Sequence, residues 1–131
     1  DYLDGERFPS FEHWAENKHA CAEYVALFPN VWLGLHVDCL YTVILKPAAM
    51  NRTAESFRFY YLRDGAGERF ANKRATSLQA WHEVFSEDVG VVEGMQAGRL
   101  SPAFQGGVFS PVMDAPTHHF HQWVARHLLK A

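Results

Sequence analysis

The residues of this 131-residue chain that could hold a metal or move a proton are eight histidines, fifteen carboxylates and two cysteines. Asp88 stands out among them. Leu78, Trp81, Phe85, Val92 and Met95 recur at steps of three, four and seven, which places them on one stripe of an amphipathic helix, and the position missing from that stripe is 88. A carboxylate on the apolar side of a helix is costly to bury unless it is paired, hydrogen-bonded or bound to a metal. Two readings follow: a salt bridge or a helix broken at Ser86, or a metal-binding or catalytic carboxylate.

The histidines offer weaker groupings. His13 and His19 form a His-x5-His pair that, with Asp88, would have the composition of a two-histidine, one-carboxylate iron site. In His118-His119-x-His121 only His118 and His121 share a helical face, so they could share one metal at most. Cys21 and Cys39 have no Cys-x-x-Cys spacing, and reduced thiols with no disulfide are expected. No nucleophile elbow, phosphate loop, His-Glu-x-x-His helix or zinc knuckle is present in the string, so nucleophilic catalysis has no candidate.

The elements that must position these groups are legible in the periodicity. Residues 1 to 18 hold neither period and read as an irregular entry segment. Three strands are expected: Val31 to Val37, Leu40 to Lys46 with Pro47 as its stop, and Thr53 to Leu62, where Phe57, Phe59 and Tyr61 alternate with Ser56, Arg58 and Tyr60. His36 and Asp38 read as turn and edge residues. A helix from a Ser77 cap to a Gly98 stop follows, then a Gly- and Pro-rich loop, then a last helix from about Asp114 with Pro116 in its first turn. Its stripe is Phe120, Trp123, Val124, His127 and Leu128. The expected class is α+β, an antiparallel meander with a long helix and a C-terminal helix.

Composition excludes several classes of function. With 48% hydrophobic and 15% aromatic residues the chain is too apolar for disorder. A net charge of −3 is too weak a field for nucleic-acid binding. No apolar run approaches the roughly 20 residues of a membrane-spanning helix, and no signal peptide is seen, so a cytoplasmic protein is expected. The chain begins with Asp1 and no initiating Met, which suggests a processed or excised piece.

Several strings are similar to passages in the large (α) subunits of Rieske-type non-haem iron oxygenases. Leu27-Phe28-Pro29-Asn30-Val31-Trp32-Leu33-Gly34-Leu35-His36-Val37-Asp38 resembles one of them. The run from Glu87-Asp88 through Glu93 to Gln96-Ala97-Gly98-Arg99-Leu100-Ser101-Pro102 resembles the family's acidic pair, Glu, and Gln-x-Gly-x-Leu-Ser. Gly107-Val108-Phe109-Ser110-Pro111 and Phe120-His121-x-Trp123 match the family's close. In the right order, these cover roughly residues 27 to 129.

The resemblance implies a helix-grip catalytic domain in which two His and one Asp hold a mononuclear Fe(II), fed by a [2Fe–2S] centre in a preceding Rieske domain. Asp88 matches the carboxylate ligand, with Trp81, Phe85 and Val92 as pocket lining or plain core. The implied chemistry uses O2 and electrons from NAD(P)H, delivered by a reductase or ferredoxin, to hydroxylate an aromatic compound or oxidise a quaternary amine. The family's His-x4-His ligand pair and the Cys-x-His and Cys-x2-His cluster motifs have no counterpart in this sequence. The chain therefore reads as the C-terminal part of a catalytic domain, inactive alone and expected to self-associate over its exposed apolar surface. A non-enzymatic helix-grip domain binding an apolar small molecule is the competing reading.

Overall fold

A computed structural model describes residues 6–12, 14 and 22–130. Four strands form one antiparallel sheet in the order β1 (Glu23–Leu27), β2 (Val31–Leu35), β3 (Cys39–Ala49) and β4 (Arg52–Tyr61). Two short 3-10 turns, Arg63–Ala66 and Glu68–Phe70, lead into α1 (Ala71–Arg99), and α2 (Ala115–Leu128) closes the chain. The α+β meander with a long and a C-terminal helix is the class the periodicity predicts. The chain divides into two compact units, Asp1–Val89 and Gly90–Ala131, with the boundary inside α1.

In the first unit the register builds one aromatic face. Tyr24 lies opposite Gly34, Gly34 opposite Tyr41, and Tyr41 opposite Phe59. The neighbouring row is Ala26, Trp32, Val43 and Phe57. Residues directly opposite on antiparallel strands project to the same side, so these two rows share a face. Val43, at 2% exposure, is the most buried of the core side chains, with Cys39 and Tyr41 beside it. Gly34 is required there because a Cβ would run into the Tyr41 ring.

A second cluster anchors the entry segment. Phe8 packs on Tyr61 at 4.9 Å and on Phe70 at 5.4 Å between ring centroids. Arg74 donates to the carbonyls of Gly65 and Gly67, which ties the first turn of α1 to the 3-10 turns. Arg69 pairs with Glu6 nearby.

Three expectations need correction. β1 is a fourth strand that the sequence reading leaves unassigned; five residues is too short a run for its alternation to stand out. Pro47 does not stop β3, which continues to Ala49. On the β2 side the last bonds join Leu45 to Asn30, so at Pro47 that edge is open and the missing N–H costs no ladder bond. α1 begins at Ala71, six residues before Ser77, and runs unbroken through Ser86, whose hydroxyl pairs with His82 at 3.4 Å. The broken-helix reading of Asp88 is thereby removed.

In the second unit Asp114 precedes α2 and Pro116 lies in its first turn. The Asp114 carboxylate accepts from the Ser110 backbone N–H at 2.7 Å, closing the loop rather than capping the helix.

Gly34→Ala is expected to destabilise the chain by about 1–3 kcal/mol through overpacking against Tyr41. Gly94→Ala, where an added Cβ meets nothing within 4 Å, should stabilise α1 by up to about 1 kcal/mol. Chemical denaturation followed by circular dichroism compares the two.

Candidate functional site

The first half of α1 lies along the aromatic face, and its contacts with the sheet follow the stripe. Ser77 meets the Tyr61 hydroxyl at 3.4 Å. Trp81 sits 5.1 Å from Tyr41 and 6.0 Å from Phe59, and Phe85 stacks on Phe57 at 4.2 Å and meets Tyr41 edge-on at 5.5 Å. Trp81 and Phe85 also stack on each other at 5.5 Å. These rings interlock in offset and edge-to-face arrangements, each pair adding about 0.5–1.5 kcal/mol beyond area burial.

Asp88 follows one turn after Phe85 on the same stripe, but its side chain is exposed. The expectation that it faces a closed core is not met, because the contacts of α1 with the sheet run from Ser77 to Phe85 and end there. Among the described residues no ion pair or hydrogen bond reaches it, so the salt-bridge reading gains no partner. Glu83, Glu87, Asp88 and Glu93 lie on a stretch of α1 with no Lys or Arg between Arg74 and Arg99, a negative field that favours a cation. Val92 belongs to the second unit and is 62% exposed.

His36 is the residue that the sequence reading placed as a simple turn residue. Its backbone N–H does close the β2–β3 turn onto Cys39 at 2.9 Å. The side chain, however, continues the Trp32–Gly34 side of β2 and packs among Trp81 at 5.2 Å, Tyr41 at 5.8 Å and Tyr24 at 6.0 Å. Its Nε2 is buried and meets no hydrogen-bond partner among the described residues. Burial lowers the imidazole pKa against the opposing pull of the Asp38 carboxylate, which favours the neutral ring. The signal for this placement was in the string, since 32, 34 and 36 keep the period of two past the end of the strand.

The neighbouring titratable groups are quiet. Burial, then the Asp38 charge and hydrogen bond, push the Cys39 thiol up to about 12, so it is neither a nucleophile nor a ready metal ligand. Burial also raises Tyr41 and Tyr61, the latter opposed by its hydrogen bond to Ser77.

Of the other histidine groupings, only the one on α2 falls among the described residues. His118 and His121 both pack on Phe109, at 4.9 and 5.1 Å, and His118 Nε2 pairs with Gln122. His13, His19 and Cys21 lie outside the described residues. Among the described residues no group of three His, Cys, Asp or Glu could hold a metal ion. Among the described residues, then, Asp88 is not joined by the further ligands a mononuclear iron would need.

Because the folded state lowers the His36 pKa, an unfolded chain takes up its proton first as the pH falls. The contribution of His36 to stability is full above the ordinary histidine value of about 6.5 and is lost as the pH drops below it. Denaturation midpoints at pH 7.5 and 5.5 should separate more in the unmodified chain than in His36→Phe.

The family described as ring hydroxylating alpha subunit (catalytic domain) matches residues 1–130. No curated protein and no solved structure matches the chain. Among the described residues, no helix is long and apolar enough to cross a membrane. With the match spanning both units, the chain belongs to the catalytic-domain family of ring-hydroxylating oxygenase alpha subunits.

Proposed function

We propose that this chain is the C-terminal part of a Rieske oxygenase catalytic domain of helix-grip type, and that Asp88 is its iron-binding carboxylate. The observation that carries the reading is the family match over residues 1–130, joined to the position of Asp88 on the Trp81–Phe85 stripe. Two histidines from outside this sequence would complete the ligand set. Within the intact subunit, Fe(II) and O2, supplied with electrons from NAD(P)H through a [2Fe–2S] centre, would provide the oxidising chemistry. The products fall in two classes, a hydroxylated aromatic compound or an oxidised quaternary amine.

The residues of this chain have definable parts in that reading. Asp88 is exposed, and between Arg74 and Arg99 no Lys or Arg of its own helix competes for its carboxylate. Trp81 and Phe85 hold the face of α1 against the sheet and keep an apolar wall on one side of the carboxylate. A substrate's apolar body would rest against such a wall, which excludes water from one side of it. Self-association would cover Val91, Val92 and Met95, each more than half exposed on the later turns of α1. A cytoplasmic setting suits an exchange of electrons with a soluble reductase or ferredoxin.

Two measurements test the reading. Iron analysis of the purified 131-residue chain should find well under one equivalent, because one carboxylate does not hold Fe(II) against water; stoichiometric iron would redirect the ligand role to His13 and His19. In the intact subunit, Asp88→Ala should keep the Rieske absorption and lose both mononuclear iron and turnover. If iron stays bound in that variant, the carboxylate role passes to Glu87 or Glu93.

A further inference from the structure

We draw no further inference here: the strongest candidate, the exposed apolar surface of edge strand β1 formed by Tyr24, Val25 and Leu27, carries nothing, because nothing among the described residues shows what covers it.

Discussion

The close approach of Tyr41 to the backbone of Gly34 is the constraint on which the first unit depends. Only a residue without a Cβ lets the tyrosine ring lie over the neighbouring strand, and the ring in that position receives Trp81 and Phe85 from α1. Phe57, Phe59 and His36 then close around the same two side chains. Remove that contact and α1 loses its seat, and the stripe that carries Asp88 loses its orientation with it.

The seat is small. Phe8, Cys39, Tyr41, Val43 and Phe70 are the buried hydrophobic residues among those described, and no residue of α1 is buried. A helix of 29 residues held along less than half its length has little apolar burial to stabilise it, so its stability in this chain leans on the ring contacts between Ser77 and Phe85 and on the Arg74 bonds to Gly65 and Gly67. Membership of the oxygenase catalytic-domain family gives this arrangement its context.

His36 shows how a side chain's surroundings can go unread from its neighbours in the string. Pro29, Asn30 and Asp38 mark turns on both sides of β2, and a histidine beside Asp38 reads as one more solvated turn residue. Its side chain is assigned by the sheet instead, since the pleat sends positions 32, 34 and 36 to one side and the helix lies on that side. Local turn chemistry describes the backbone there correctly and says nothing about which surface the ring meets. Asp88 is the reverse case: its place on the stripe was legible, and its exposure depended on where the sheet ends beneath the helix.

What the sequence determined by itself is whatever repeats with a period: the β2–β4 meander from its alternation, α1 from the Leu78–Met95 stripe, α2 from Pro116 and the aromatic stripe behind it, and the family from strings that keep their order along the chain. These signals are local, because each turn or pleat is set by residues a few positions apart. The tertiary structure alone decided that β1 joins the sheet, that Pro47 is tolerated on an open edge, that α1 starts at Ala71, and that the His36 ring packs among Tyr24, Tyr41 and Trp81. Each of these depends on which strand lies beside which and on where the sheet runs out, and such long-range pairing leaves no period in the string.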